Sequence, residues 1–260
     1  MTTRPSGLRY EVFFIVGFLF SLVGQVCAEA KFEGKLIIQF KDAGERLELL
    51  ENYYFIDASY KMWTARKGLV TDGASIPRWA WTSIGSPLGA PYVNAAVIHD
   101  QYCVLRTETP EHVHIMFYEA MIVAGVGKLK AKLMYAAVYY AGPWWDWRTT
   151  ENARNAFKDN FIDSKWYQNP KSAHPNKVPP VEMFKKGPDG KPLLKCGDDL
   201  SCGWTELNEI EANWIAERVP LVKRTDPDSA TQVSIANFVD TDPTLEEINK
   251  FLNKLGTQRK

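Results

Sequence analysis

The chain has 260 residues, and its 31 Lys and Arg residues balance its 31 Asp and Glu residues, so the formal net charge is zero. This length allows one large domain or one domain with a substantial extension, and the balanced charge argues against nucleic acid as a partner. Aromatic residues make up 13% of the chain, which is typical of a well-packed core or an aromatic-lined cleft.

The first thirty residues have the three-part pattern of a secretory signal peptide. Arg4 and Arg9 form a basic start, residues 12–24 are apolar and uncharged, and the small residues Ala28 and Ala30 follow. The pattern predicts a periplasmic or secreted protein that is cleaved after Ala30 or after Ala28. Because the apolar run is shorter than the roughly 20 residues of a membrane span, we expect no stable span after cleavage.

Export also affects how the cysteines are interpreted. In an oxidising compartment, Cys196 and Cys202 are close enough in sequence to predict a local disulfide. Cys103 lies in an apolar stretch, which predicts a buried free thiol.

Residues 34–71 consist of short apolar segments that alternate in the manner of strands and are separated by turn residues. They predict a small antiparallel meander. From residue 91 the hydrophobic period lengthens, and three consecutive helices are predicted. The first covers about residues 92–105, the second begins at Pro110 after the capping residue Thr109, and the third ends at Gly142.

After about residue 150 a stretch rich in Pro, Lys and Gly predicts a surface excursion, and two further helices follow it. The last of these is expected to be capped by Asp242. The predicted fold class is therefore α+β: a small antiparallel sheet, then a helical hairpin and a third helix, with an irregular helical C-terminal extension. The predicted divisions are a signal peptide (1–30), an α+β domain (31–149) and the extension (150–260).

The residues most able to do chemistry lie on the first two predicted helices. His99 shares an apolar helix face with Ala95 and Cys103, and Asp100 lies at the edge of that face. On the next helix His114 also points inward, so an antiparallel hairpin would bring the two histidines together. Buried polar groups are costly unless they are paired, so the sequence predicts a buried polar site.

Two further segments could contribute to this site. Asp72 lies at the end of a predicted strand, where it either joins the site or holds an Asx-turn. Residues 84–91 contain two Gly and two Pro just before the first helix. This loop either turns backbone carbonyls toward a cation or is simply a tight connection.

The segments VTDGASIPRWAW, AAVIHDQYC, HVHIMFYEAM and MYAAVYYAGPWW occur in that order. Together they resemble a family of bacterial and phage proteins catalogued as domain of unknown function 1353, over roughly residues 34–147. The resemblance implies a domain identity and no established activity. It also implies an aspartate in many members at the position of His114.

A looser similarity connects the Gly-rich loop and the His-Asp helix with secreted phospholipases A2. That similarity implies that His99 is the general base and Asp100 a calcium ligand, with backbone carbonyls from Gly85 to Gly89 completing the calcium site. His114 would then orient His99, in place of an aspartate.

A zinc site is the competing chemistry. His99, His114 and either Asp72 or Asp100 would supply three ligands, as suits an amidase or peptidase that acts on the cell wall. We therefore expect a hydrolase of a cell-envelope ester or amide that is assisted by calcium or zinc, with catalytic residues among His99, Asp100, His114 and Asp72. The alternative is a non-catalytic structural or assembly domain in which the same residues form a buried hydrogen-bond network. The sequence leaves the oligomeric state open.

Overall fold

Six short strands lie in the N-terminal part of the fold, among the residues that the structure describes. The computed structural model describes residues 29–42, 46–72, 79, 91–161, 204–222 and 224–257. Its strands are β1 (Lys31–Glu33), β2 (Ile38–Lys41), β3 (Arg46–Leu49), β4 (Tyr53–Ile56), β5 (Met62–Ala65) and β6 (Val70–Thr71).

The strands form two three-stranded antiparallel sheets, with the orders β1-β4-β5 and β2-β3-β6. The predicted antiparallel pairing is confirmed, but the single meander over residues 34–71 is wrong, because β3 pairs with β6 and not with the next strand β4, which pairs with β1 and β5. Phe32 explains the pairing: its ring lies 5.5 Å from that of Tyr53 and 5.1 Å from that of Phe55. Such aromatic contacts between strands fix the register of β1 on β4.

Alternation along β4 and β5 gives their sheet one core face. Tyr53, Phe55, Trp63 and Ala65 are buried, while the residues between them are more accessible. Successive side chains of a strand point to opposite faces, so this pattern turns one face of the sheet toward the helices.

Seven helices follow among the described residues. They are α1 (Val93–Leu105), α2 (Pro110–Val123), α3 (Lys128–Ala141), α4 (Trp147–Phe161), α5 (Trp204–Arg218), α6 (Ser229–Val239) and α7 (Leu245–Thr257). The α+β class with a helical C-terminal part is confirmed, and α4 and α6 are additions to the predicted helices. The predicted division at residue 149 falls inside α4. None of the described helices has the length and apolarity needed to cross a membrane.

The helix starts test the capping predictions. Thr109 accepts a hydrogen bond from the backbone N–H of His112 and Pro110 is the first residue of α2, as predicted. The prediction that Asp242 caps α7 is wrong. Thr244 forms a reciprocal capping box with Glu247, while Asp242 adopts a left-handed φ of 56° and pairs with Lys132.

Helix α3 is buried on two sides and joins two cores. Ala131, Met134 and Val138 face the core that contains α1, α2 and the sheet of β1, β4 and β5. Tyr135 and Tyr139 face a second core, which α3 shares with α6 and α7. Spacings of three and four residues within each group place the two sets on different faces of one helix.

Candidate acid–base site

Consecutive polar side chains attach α1 to the edge of the strands. The backbone N–H of Arg66 donates to Gln101 Oε1 at 2.9 Å, and that of Thr64 donates to the Tyr102 hydroxyl oxygen at 3.2 Å. Thr64 lies on β5, an edge strand of its sheet. The two side chains of α1 therefore satisfy N–H groups that an exposed edge would leave to water or to another chain.

Asp100 makes the third connection of α1 to the strands. The Thr71 hydroxyl donates a short hydrogen bond to Asp100 Oδ2. Both residues are buried, with exposed fractions of 7% for Asp100 and 5% for Thr71. The carboxylate is thus held between α1 and the end of β6, and its other oxygen lies 3.5 Å from Nδ1 of His99.

His99 and His114 meet between α1 and α2, as the helical spacing predicts. His99 Nε2 lies 3.0 Å from His114 Nδ1, and both side chains have no exposed surface. We call the connected groups the His99 network; its members are Thr71, Asp100, His99, His114 and the Pro143 carbonyl.

The Pro143 carbonyl determines the direction of the hydrogen bonds. It lies 3.1 Å from His114 Nε2 and can only accept, so that nitrogen carries a proton. In a neutral His114 the remaining nitrogen, Nδ1, then accepts from the N–H at Nε2 of His99. Nδ1 of His99 is left as the nitrogen that faces Asp100, and it also lies 3.8 Å from Cys103 Sγ.

The environment keeps His114 neutral. Burial is the largest cause that lowers its pKa well below the usual value, and the neighbouring His99 and the charge of Arg224 lower it further. Burial and the nearby Asp100 raise the pKa of the Cys103 thiol, which stays protonated at neutral pH. The predicted buried free thiol at Cys103 is confirmed.

Aromatic rings enclose the two histidines. The ring of Phe117 lies 4.5 Å from that of His99, and the ring of Trp144 lies 5.8 Å from that of His114. The Arg224 guanidinium stacks over the ring of Trp144, with 3.8 Å between its central carbon and the ring centroid. Arg224, which belongs to the C-terminal part, thus contacts one of the rings that enclose the His99 network.

Asp72 does not join this cluster within the described part of the chain. Its side chain is exposed, whereas Thr71, one residue earlier, faces inward and contacts Asp100. Sequence reasoning placed the carboxylate at the correct strand end and missed Thr71. Residues Gly85 to Gly89, which were expected to supply carbonyls, lie outside the described residues, as do Cys196 and Cys202.

Among the described residues, the candidate zinc ligands do not converge on one point where the ion could bind. His114 contacts Nε2 of His99, while Asp100 faces Nδ1 on the opposite side of the same ring. Within the described ranges no group of three His, Cys, Asp or Glu side chains is arranged to hold a metal ion. Asp100 is the part of the expected calcium site that can be placed, and a single carboxylate falls short of the six to eight oxygen ligands that calcium takes.

The segment that carries this geometry has recognisable relatives. Residues 47–138 match the profile of the family described as "Protein of unknown function (DUF1353)", which confirms the predicted resemblance for that segment. The match contains His99, Asp100 and His114, and its description assigns no activity.

Two curated proteins of Sinorhizobium fredii (strain NBRC 101917 / NGR234) are similar to part of this chain. "Uncharacterized protein y4iH" is 41% identical over 104 residues, which are 40% of this chain and 43% of that protein. "Uncharacterized protein y4jT" is 41% identical over 113 residues, which are 43% of this chain and 34% of that protein. The chain thus spans less than half of either relative. No solved structure matches it.

Proposed function

We propose that this protein is an exported acid–base hydrolase of a cell-envelope ester or amide, with His99 as the general base. The observation that supports this proposal is the 3.0 Å contact between His99 Nε2 and His114 Nδ1. It orients the imidazole from the neighbouring helix and leaves Nδ1 as the nitrogen that can take a proton. This is the arrangement implied by the similarity to phospholipases A2, with a neutral histidine in place of the orienting aspartate.

In the proposed reaction, Nδ1 of His99 removes a proton from a water molecule as the water attacks the acyl carbon, and the imidazolium then returns this proton to the leaving oxygen or nitrogen as the ester or amide bond breaks. Asp100, whose Oδ1 lies 3.5 Å from Nδ1, stabilises the imidazolium that forms. His114 stays neutral throughout and keeps the ring in place. Because His99 is fully buried and Asp100 is 7% exposed, the proposal requires water to reach Nδ1 past Asp100.

Hydrolysis assays on three variants test the proposal. Asp100→Asn keeps an oxygen that can accept from Thr71 and removes the charge, and His99→Gln removes the base. We expect both to lower kcat by about 10²- to 10⁴-fold against aryl esters, phosphatidylglycerol vesicles or a muropeptide amide. The control is His112→Gln, which removes a histidine whose side chain is 44% exposed and outside the network.

The same assays, run with calcium and with a chelator, decide the metal question. Loss of ester hydrolysis in chelator, restored by calcium, would support a calcium-assisted reaction. Stoichiometric zinc in the purified protein would contradict the ligand geometry described above. Wild-type protein that hydrolyses none of the three substrate classes would overturn the proposal.

Export is the second part of the proposal, and it rests on the pattern of residues 1–30. Amino-terminal sequencing of protein from a periplasmic or culture fraction should begin at Lys31 or at Glu29. Intact-mass measurement with and without reductant should show the Cys196–Cys202 disulfide as a difference of about two hydrogens. Full-length protein that stays inside the cell would contradict this part.

A non-catalytic role is the second candidate, and one specific observation favours it. Both histidines are completely buried, and each of their ring nitrogens has a polar neighbour inside the fold. A network of this kind fixes the α1–α2 hairpin to the strands without turning over a substrate. The variants would then lower the melting temperature strongly, and the wild type would be inactive in every assay.

A further inference from the structure

A cleft of about 740 Å³ lies beside the C-terminal end of α1, away from the His99 network. The outer face of β4 and β5 forms one wall, with Tyr54, Met62 and Thr64. Helices α4 and α5 form the opposite wall with Arg154 and Glu211. Its volume lies within the range of about 300–1,000 Å³ that small-molecule sites usually have.

Among the described residues, three cations line this cleft. Arg66 and Lys67 lie in the turn after β5, and Arg154 projects from α4. The backbone N–H of Lys67 is held at 2.8 Å from Asn52 Oδ1, which fixes the turn, while the Lys67 side chain makes no ion pair with any described residue. The turn therefore presents its positive charge to the cleft from a fixed backbone.

The two acidic residues of the cleft do not cancel this charge. Glu108 is neutralised outside the cleft by Lys61, whose Nζ lies 2.5 Å from its carboxylate, and it also contacts His112. Glu211 lies 3.5 Å from Arg154, and burial is the main cause that raises the pKa of Glu211. Each of the two carboxylates is thus paired with a cation, and Lys67 adds a positive charge that no described acidic residue pairs with.

We propose that this cleft binds a small organic anion, with Arg66 and Lys67 holding a carboxylate or phosphate group and Tyr54 and Met62 contacting the body of the ligand. Guanidinium and ammonium groups are the usual protein partners of both anions. Arg66, Lys67 and Tyr102 lie inside the segment 47–138 that matches the family, and Arg154 and Glu211 lie outside it. The C-terminal part thus completes a site that the matched segment begins.

Binding measurements with three matched probes test this proposal. Benzoate and phenyl phosphate carry the two candidate head groups on the same ring, and benzamide is the uncharged control. We expect saturable binding of at least one anion, with shifts of the amide resonances of Thr64, Arg66 and Lys67, and no saturable binding of benzamide. The preferred anion identifies the head group, and its affinity should fall as salt is raised.

Variants of the cationic residues then test whether the anion binds in this cleft. The double variant Arg66→Gln/Lys67→Gln should weaken binding about tenfold or more, since it removes charge-assisted hydrogen bonds. The matched control is Lys250→Gln, which removes one positive charge from an exposed position on α7. No saturable binding of either anion, or equal binding by the double variant and the wild type, would overturn the proposal. The measurement needs no hydrolysis, so its outcome is separate from that of the proposed reaction.

Discussion

The two cores that meet on α3 are built from different chemistry. The first core borders the His99 network, so a carboxylate and two imidazoles lie against its apolar side chains, and His114 also faces Tyr139 of the second core. In the second core, Ile235, Val239, Ile248 and Leu252 pack on tyrosines, and the polar contacts lie at its rim, as between the Tyr135 hydroxyl and Asn249. In the second core α6 and α7 pack on α3 through apolar and aromatic side chains, with polar contacts such as that of Lys132 with Asp242 around them. The polar groups beside the first core need a reason beyond adhesion, either catalysis or a unique arrangement of α1, α2 and the strands.

The largest effect should come from the wall of the first core. Phe117→Ala removes a fully buried ring that contacts His99, and we expect it to lower the free energy of unfolding by about 3–5 kcal/mol. Urea denaturation followed by tryptophan fluorescence measures this loss. A cost below that of a comparable substitution in the second core would show that the first core is not the main source of stability.

A matched substitution in the second core should cost somewhat less and act locally. Ile248→Ala removes a fully buried side chain on α7, at about 2–4 kcal/mol. Hydrogen exchange should show lost protection in α6 and α7, while α1 and α2 stay protected. Equal loss of protection in both pairs of helices would mean that α3 couples the two cores into one cooperative unit.

Asp57 offers a test of buried polar groups in the N-terminal sheets. Its carboxylate accepts hydrogen bonds from the backbone of Ser59 and Lys61 and from the indole N–H of Trp63. Asp57→Ala leaves these donors without a partner and should cost roughly 1–3 kcal/mol. Thermal unfolding at neutral pH measures the effect, with Ser59→Ala as a control that removes only the Ser59 hydroxyl, a further donor to Asp57, and leaves the carboxylate in place.

Asp57 should also make the free energy of unfolding depend on pH in the acidic range. Burial alone would raise the pKa of Asp57, but hydrogen bonds from Ser59, Trp63 and Lys61 outweigh burial and hold the pKa below its usual value. Because the folded-state pKa is lowered, the carboxylate stabilises the fold above the pKa of about 3.9 in the unfolded chain, and this contribution is lost as pH falls through the folded-state value. Asp57→Asn should flatten that part of the stability profile.

The smallest effect tests the connection between the two parts of the chain. Arg224 donates to the backbone carbonyls of Tyr139 and Tyr140 at the end of α3 and stacks on Trp144. Arg224→Met should cost about 1–2 kcal/mol. It should also raise the pKa of His114, because the charge of Arg224 is one cause of its lowered value.

Imidazole ¹⁵N spectra recorded over a range of pH measure the expected change in the pKa of His114. Since the pKa of His114 is lowered by folding, its neutral state stabilises the protein above about pH 6.5, and this contribution is lost as pH falls toward the folded-state value. The variant should lose less stability over that range than the wild type does. Arg218→Met is the matched control, because Arg218 lies against another tryptophan, Trp214. An unchanged His114 titration in Arg224→Met would show that the C-terminal part does not reach the network.

Local patterns predicted the helical half of the site well. The spacing of His99 and His114 along their helices, together with a short link, was enough to bring the two rings together, because both follow from helix geometry. The capping residue Thr109 and the helix-starting Pro110 are equally predictable from the local sequence. The partner of Asp100 was missed, since two-residue β6 is too short for alternation to show whether Thr71 or Asp72 faces inward.

Pairing between distant segments was less accessible to sequence reasoning. That β1 lies beside β4 depends on the contacts of Phe32 with rings more than twenty residues away, and no local pattern encodes such a choice. Helix α4 did carry a local signal that was passed over. Asp146 accepts from Thr149 at its start, and the buried Ala153 and Phe157 follow at a spacing of four.

The Pro143 carbonyl at the end of the His99 network limits what the network can do with a proton. Gly142 precedes this carbonyl at a position with no room for a side chain, since a Cβ there would clash with the backbone of Val138. A carbonyl accepts a hydrogen bond but cannot take up a proton and pass it on. The His99 network therefore ends at Pro143 and offers no path for protons beyond it.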